Sequence, residues 1–107
     1  MPDWTVRVHP QAEAELKALP TDMQARFLHI AGLLETFGPH KVGRPHVRPL
    51  GRKLWEMRMH GRDGIARAVY AAVQGQTLLV LHVFVKKTQT TPRSAIETAL
   101  KRLESLK

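Results

Sequence analysis

The sequence contains no cysteine, few aromatic residues and no apolar run long enough to cross a bilayer. Without cysteine, disulfide bonds and thiolate-bound zinc or iron–sulfur centres are excluded, and a reducing compartment suits the chain. The first residues also lack the charged-then-apolar layout of a secretory signal peptide. A length of 107 residues suits one domain with a modest core. We therefore expect a single domain over residues 1–107, located in the cytoplasm.

Acidic residues are scarce as well. Nine Asp and Glu stand against 17 Lys and Arg, which gives a formal net charge of +8. Residues 40–107 hold fourteen of the basic and four of the acidic residues, whereas residues 1–39 hold three and five. This asymmetry favours a polyanionic partner such as nucleic acid over a basic surface that only maintains solubility. The basic residues cluster around predicted strands and not in a tail, which supports the same choice.

The N-terminal part predicts one strand followed by two helices. Residues 4–8 alternate between apolar and polar side chains, as a short strand does. Pro10 can occupy the first position of a helix, and Pro20 ends that helix. Thr21 and Gln24 then have the pattern of a capping box for the second helix. The apolar stripe of this second helix consists of Met23, Phe27, Ile30, Ala31 and Leu34.

A loop and three strands follow. Glycine and proline recur in residues 40–53, which predicts a loop. Residues 54–59 alternate cleanly, which predicts a strand with two different faces. One face carries Trp55, Met57 and Met59, and the other carries Glu56, Arg58 and His60. A turn at residues 61–64 leads into a strand over residues 65–73, and a turn at residues 74–76 leads into the third strand.

The third strand is an almost unbroken apolar run over residues 78–85 that stops at Lys86 and Lys87. A run of this kind is typical of a strand in the middle of a sheet. Two lysines at the end of such a rigid element can hold an anion in a fixed geometry. Thr91 and Pro92 are then expected to cap a final helix. Its predicted apolar stripe is Ile96, Ala99, Leu100, Leu103 and Leu106.

The order of these elements predicts an α+β domain. Its sheet is expected to be twisted, mainly antiparallel and built of about four strands, with an N-terminal helical hairpin and a C-terminal helix. We expect the helices to cover one face of the sheet, and the other face to stay partly open and to carry charge.

Three segments resemble a known family: GRKLWEMR at residues 51–58, GIARAVY at residues 64–70, and FVKKTQ at residues 84–89 with Thr91 and Pro92. They are similar to the phage-derived toxins, a branch of the RelE/HigB superfamily of type II toxin–antitoxin systems. The similarity covers nearly the whole chain and includes the order of elements. It implies an RelE-like fold and a growth-inhibiting endoribonuclease that cleaves mRNA on the ribosome. It also implies a cognate antitoxin, typically a helix-turn-helix protein.

The resemblance also implies an active site lined by basic residues. The matching positions in this chain are Arg58, Arg67, Lys86 and Lys87. Cleavage by the RNA 2′-hydroxyl, without metal or other cofactor, needs cations on the developing phosphorane, and arginine suits bidentate phosphate contacts. Glu56 shares the strand face of Arg58. It is either the general base or the partner in a salt bridge that holds Arg58 or Arg67 in place, and both interpretations stay open.

A second set of residues is predicted to contact the RNA backbone through salt-dependent, sequence-independent interactions. It consists of Lys41, Arg44, Arg48, Arg52, Lys53, His60 and Gln89. Many relatives end the active site with a tyrosine or histidine after the last strand, which this chain lacks. Tyr70, His60 or Gln89 are candidate substitutes, although Tyr70 also suits a core position with a wet hydroxyl. His40 and His46 have no carboxylate nearby, so no metal site is expected.

Two other functions stay open at this point. Toxins of the same overall fold bind and poison DNA gyrase without cutting RNA, and a degenerate toxin would be a non-catalytic RNA-binding domain. The grouping of Glu56, Arg58 and Arg67 with the lysine pair on neighbouring strands favours the nuclease, because gyrase binding would not require it.

Overall fold

Five strands form one mixed sheet in the computed structural model, which describes residues 4–86 and 90–106, with only the backbone of Lys86. The elements are β1 (Thr5–Val8), α1 (Pro10–Lys17), α2 (Thr21–Phe37), β2 (Val47–Gly51), β3 (Leu54–Gly61), β4 (Gly64–Val73), β5 (Thr77–Lys86) and α3 (Arg93–Glu104). The strand order is β1-β5-β4-β3-β2, and only the β1–β5 pair is parallel. The predicted α+β class is confirmed, with one strand more than expected. None of the described helices is long and apolar enough to cross a membrane.

The antiparallel meander of β3, β4 and β5 matches the sequence prediction. Its first turn joins Gly61 to Gly64, which face each other across the hairpin. In the resulting register Arg58 of β3 lies opposite Arg67 of β4, and Ile65 of β4 lies opposite the backbone of Lys86. The meander therefore brings the predicted catalytic positions of three strands to the same end of the sheet.

Strand β2 was not expected, because residues 40–53 were predicted to be a loop. Pro49 is tolerated here because β2 is an edge strand, where a missing backbone N–H costs no ladder bond on the outer side. The strand is irregular, with a register shift between Pro49 and Gly51. Its presence matters for the site, because it places Arg48 directly opposite Glu56.

Helices cover both faces of the sheet, which corrects the prediction that they cover one. Helices α1 and α2 pack over the face that carries Met57, Met59 and Tyr70, and the predicted stripe of α2 is buried there as expected. Helix α3 packs on the opposite face against a second apolar cluster, formed by Leu54, Val69, Ala71, Leu81 and Ala99. The charged face is therefore partly closed, because α3 has an apolar stripe of its own to bury. The stripe ends earlier than predicted, since Leu106 lies beyond α3 and is 54% exposed.

The helix starts differ from the predicted capping boxes. Pro20 and Pro92 occupy the N-cap positions of α2 and α3, and among the described residues no side chain caps either helix. Thr21 is the first residue of α2, and Gln24 donates instead to backbone carbonyls of the preceding turn. The hydroxyl of Thr91, which precedes Pro92, is therefore available for contacts outside α3.

Beyond Val80 the outer edge of β5 is covered by side chains and not by a strand. Strand β1 pairs with β5 only as far as Val80. Beyond that point Glu15 of α1 accepts hydrogen bonds from the Val83 amide at 3.0 Å and from both terminal nitrogens of Arg102 at 2.8 and 3.0 Å. His82 Nδ1 lies 3.0 Å from the same carboxylate. We name Glu15, His82 and Arg102 the edge clasp.

The edge clasp ties α3 to α1 across the sheet. Arg102 of α3 also donates to the Leu81 carbonyl at 2.9 Å, so it pairs with the Glu15 carboxylate and also covers the edge of β5. Blocking a strand edge with a partly buried charged pair protects the sheet against pairing with another chain. It also fixes α3, and with it the start of that helix at the candidate site described below.

Loss of the Glu15 charge should destabilise the protein in a pH-dependent way. Burial raises the pKa of the Glu15 carboxyl, but the hydrogen bonds from Arg102, the Val83 amide and His82 together outweigh burial and leave this pKa below its ordinary value. Because the folded-state pKa is the lower one, the stabilisation is present above the unfolded-state pKa and is lost as the pH falls through the folded-state pKa. Glu15→Gln should therefore unfold with about 2 kcal/mol less free energy at pH 7, and this deficit should shrink between about pH 5 and pH 3.

Urea unfolding of both proteins across this pH range measures the deficit. Glu13→Gln is the matched control, because Glu13 lies on the same helix but is exposed and paired only with Lys17 at i,i+4. A deficit for Glu15→Gln that stays constant down to pH 3 would contradict the role of the carboxylate in the edge clasp.

Candidate functional site

A buried carboxylate lies at the centre of the candidate site. Glu56, in the middle of β3, is 0% exposed because β2 and β4 flank it and the start of α3 covers it. Its Oε1 accepts a hydrogen bond from Arg48 Nε of β2 at 2.9 Å. Arg67 Nη1 of β4 lies 3.7 Å from the same oxygen. The carboxylate therefore joins the strands on both sides of β3.

Thr91 completes this arrangement from the segment that precedes α3. Its hydroxyl donates to Glu56 Oε2 and accepts from Arg67 Nη1 at 3.2 Å and from Arg48 Nη2 at 3.4 Å. We name Arg48, Glu56, Arg67 and Thr91 the Glu56 cluster. It connects three strands to the start of the last helix.

Positive charge exceeds negative charge around the Glu56 cluster. Arg58 lies opposite Arg67 in the β3–β4 register, and strand alternation puts it on the same face as Glu56. Three guanidinium groups therefore meet one carboxylate in the described part of the chain. Burial lowers the pKa of Arg67, Glu56 raises it, and the charges of Arg58 and Arg48 lower it further. A guanidinium nevertheless stays protonated at neutral pH.

Arg58 has a hydrogen-bond donor that no described residue uses. Its side chain is half-buried, and its Nε is buried without a hydrogen-bond partner among the described residues. A buried donor of this kind is costly unless it is satisfied by a ligand or by water. Beside two further guanidinium groups, the group that satisfies it best is an anion.

The other predicted catalytic residues are the buried Arg67 and Glu56 and the two lysines at positions 86 and 87. Arg67 is 0% exposed, so it does not reach the protein surface. This position does not favour the predicted direct contact with an RNA phosphate. For Glu56 the ion-pair interpretation matches the structure, with Arg48 and Arg67 as its partners and not Arg58. The backbone of Lys86 ends β5 beside Ile65. Lys87, like Gln89 of the RNA-binding set, lies outside the described residues.

Tyr70 is remote from the charged face. It lies opposite Trp55 in the core under α1 and α2, and is 0% exposed. Burial raises the pKa of its hydroxyl, which has no hydrogen-bond partner among the described residues. Strand alternation points it away from Arg58, so its position favours the core interpretation over the catalytic one. His60, by contrast, is exposed and shares the face of Arg58.

The predicted RNA-binding cations lie in different places. Lys41, Arg44, Arg52 and Lys53 are exposed, whereas Arg48 is mostly buried against Glu56. Arg52 and Lys53 form the turn between β2 and β3, with φ angles of 54° and 68° in the left-handed region. This turn is at the far end of β3 from Gly61, about 15 Å along the strand from Arg58. The exposed cations therefore extend well beyond the Glu56 cluster.

Sequence reasoning missed the role of Thr91 because it was assigned to a helix cap. It also missed the pairing of Arg48 with Glu56, since that pairing depends on β2. An alternating pattern at Val47, Arg48 and Pro49 was too short to reveal the strand. Among residues 4–86 and 90–106, no cluster of three or more His, Asp or Glu side chains is placed to hold a metal ion.

Comparison with known proteins identifies the fold and the family. The chain is similar in structure to a double mutant of the Escherichia coli toxin RelE in the free state, with a TM-score of 0.65, 14% identity, and coverage of 96% of this chain and 99% of that chain. It is also similar to the archaeal RelE–RelB complex from Pyrococcus horikoshii, with a TM-score of 0.59, 23% identity, and coverage of 82% of this chain and 99% of that chain. The protein therefore has the RelE fold.

Residues 14–104 match the family model described as "Phage derived protein Gp49-like (DUF891)". The match covers most of the chain, so the chain belongs to this phage-derived Gp49-like family. No curated protein sequence matches the chain.

Removing the charge of Glu56 should strongly destabilise the protein. Glu56→Gln keeps the shape of the side chain but leaves Arg48 and Arg67 without their shared carboxylate. Breaking a buried ion pair in this way costs about 3–5 kcal/mol. Chemical unfolding of the variant should show this loss in the free energy of unfolding.

Glu97→Gln provides the comparison, because Glu97 is exposed on α3 and pairs only with Arg93 at i,i+4. Its cost should stay below about 0.5 kcal/mol. Equal stabilities of the two variants would show that Glu56 does not hold the cluster together.

Proposed function

We propose that this protein is the toxin of a bacterial type II toxin–antitoxin system and acts as an endoribonuclease on mRNA at the ribosome. The observation that carries the proposal is the excess of guanidinium groups at Glu56, with the buried Nε of Arg58 available for an anion. A nuclease that works through the RNA 2′-hydroxyl requires fixed cations at the scissile phosphate. The RelE fold and the similarity described above support the same class.

In the proposed mechanism Arg58 binds the scissile phosphate and stabilises the charge that develops on its oxygens. Its rigid position on β3 favours in-line attack by the neighbouring 2′-hydroxyl, because holding the reacting groups in place is a large part of such catalysis. Arg67 and Glu56 act from below the surface, where they hold the charged side chains around them in place. By the family resemblance, Lys86 and Lys87 add further positive charge at the end of β5.

Proton transfer requires a group on the same surface. Glu56 is unsuited to this task, because it is fully buried and engaged with Arg48 and Thr91. His60 is exposed two residues after Arg58 on the same strand face. Imidazoles commonly act as general acids or bases near neutral pH, so we assign this role to His60.

Substrate binding beyond the scissile phosphate falls to the exposed cations. Lys41, Arg44, Arg52 and Lys53 contribute contacts to the RNA backbone that carry no sequence preference and weaken with salt. The second partner is a cognate antitoxin, as the RelE–RelB complex among the similar structures suggests. With these two partners, the proposed site of action is the cytoplasm.

Arg58→Ala should abolish most of the activity while preserving the fold. Its loss removes the cation at the phosphate, and one such group is worth about 100- to 1,000-fold in rate. Mapping RNA 5′ ends after brief induction in bacteria measures the effect. Wild-type protein should arrest growth and produce new cuts within translated codons, and the variant should do neither.

Arg26→Ala is the matched control, since Arg26 is an exposed arginine on α2, over the opposite face of the sheet. It should remain as toxic as the wild type. Intact messages with a DNA-damage response on induction of the wild type would contradict the nuclease and indicate a gyrase inhibitor instead. Intact messages without growth arrest would leave a non-catalytic RNA-binding domain.

A further inference from the structure

Thr91 combines burial with three contacts to charged groups, which is unusual for a threonine before a helix. It is 8% exposed, and α3 begins without using its hydroxyl, because Pro92 is the N-cap. A hydroxyl has one proton to donate and two lone pairs to accept with. In the Glu56 cluster the proton goes to Glu56, and the lone pairs face Arg67 and Arg48. All the hydrogen-bonding capacity of the side chain is therefore used within the cluster.

We propose that Thr91 is a positioning residue for the cleavage reaction, and that its hydroxyl holds the Glu56 carboxylate away from Arg58. The inference rests on the proposed function, in which Arg58 binds the scissile phosphate. Thr91 touches neither substrate nor reacting atoms, and acts through the groups around Glu56.

The orientation of the carboxylate is the first step. The terminal torsion of a glutamate side chain is broad, so the carboxylate plane is set by its partners. Oε1 is held by Arg48, and Oε2 is held by the Thr91 hydroxyl. Without the hydroxyl, Oε2 would be a buried acceptor that lacks this donor, and it would turn toward another donor.

Arg48 and Arg67 already contact the Glu56 cluster, and Arg58 is the further guanidinium on the same face of β3. Glu56 and Arg58 are two residues apart on one face of β3, with Cα atoms about 7 Å apart, which long side chains bridge easily. Arg58 Nε is buried without a partner among the described residues, so it could donate a hydrogen bond to the turned carboxylate. An ion pair between Glu56 and Arg58 would occupy the guanidinium that the phosphate requires.

The chemical nature of the residue suits this task. Threonine satisfies the second carboxylate oxygen without adding charge, so the excess of positive charge at Arg58 is preserved. An acidic side chain at position 91 would cancel that excess, and a basic one would add a further buried charge at a desolvation cost. A neutral hydroxyl is therefore suited to keep the carboxylate in place while leaving Arg58 for the substrate.

The test compares Thr91→Val, which removes the hydroxyl at nearly constant volume, with Thr91→Ser, which keeps it. Single-turnover cleavage of ribosome-bound mRNA measures the rate, and binding of an mRNA with a 2′-O-methyl group at the cleavage site measures the affinity. Thr91→Val should lower the rate by about 10- to 100-fold, with the affinity changed by less than about threefold. Thr91→Ser should stay within about threefold of the wild-type rate.

Thr98→Val is the control for the same chemical change nearby, because the Thr98 hydroxyl bonds only to the Ser94 carbonyl within α3. It should cleave as the wild type does. A Thr91→Val protein with the wild-type rate, or a Thr91→Ser protein as slow as Thr91→Val, would overturn the inference. The second result would assign the effect to packing of the methyl group.

A measurement that does not depend on activity separates this inference from the proposed function. The Nε–Hε resonance of Arg58 in ¹⁵N NMR should shift and exchange more slowly with water in Thr91→Val, because Glu56 then accepts from it, and should be unchanged in Thr91→Ser. If the wild type does not cleave RNA, the proposed function fails. The Arg58 resonance then still decides whether Thr91 holds the Glu56 carboxylate away from Arg58. An unchanged Arg58 resonance in Thr91→Val, in a wild-type background that does cleave, overturns the positioning role alone.

Discussion

The buried carboxylate of Glu56 is the interaction on which the rest of the structure depends. It joins β2 through Arg48 and β4 through Arg67, and it reaches the start of α3 through Thr91. A charge at 0% exposure is tolerated only with this many partners. Because every partner comes from a different segment, the charged centre forms only once β2, β3, β4 and the residues before α3 are brought together. The edge clasp secures the far end of that helix in a similar way.

In our proposal the same centre is an unreactive ion-pair network that prepares a catalytic surface. Arg58 lies beside the network, and its Nε has no hydrogen-bond partner among the described residues, so in our proposal its charge is left for the substrate. The β-meander supplies the rigidity, since Arg58 and Arg67 are cross-strand neighbours in a continuous ladder. In our proposal the buried residues set geometry, and the half-buried Arg58 and the exposed His60 meet the RNA. This division fits the general finding that functional groups need support from the layer beneath them.

Much of the fold and part of the candidate site were predictable from the sequence, and the predictions that were wrong have physical causes. The α2 stripe and the two faces of β3 follow from periodicity alone, and the structure has both. Strand β2 escaped because Pro49 was taken as a loop signal, although an edge strand tolerates proline. The burial of Arg67 could not be foreseen without Thr91, which contacts it from a segment distant in sequence. Long-range closure of this kind leaves no local pattern.

The central claim is that the spare guanidinium of Arg58 receives an RNA phosphate. Titration of the ¹⁵N-labelled protein with a short RNA, 2′-O-methylated so that it cannot be cut, tests this directly. The Arg58 Nε–Hε resonance should shift progressively to saturation, and added salt should reverse the shift. Shifts confined to the turn at Arg52 and Lys53, with the Arg58 resonance unmoved at saturation, would contradict it.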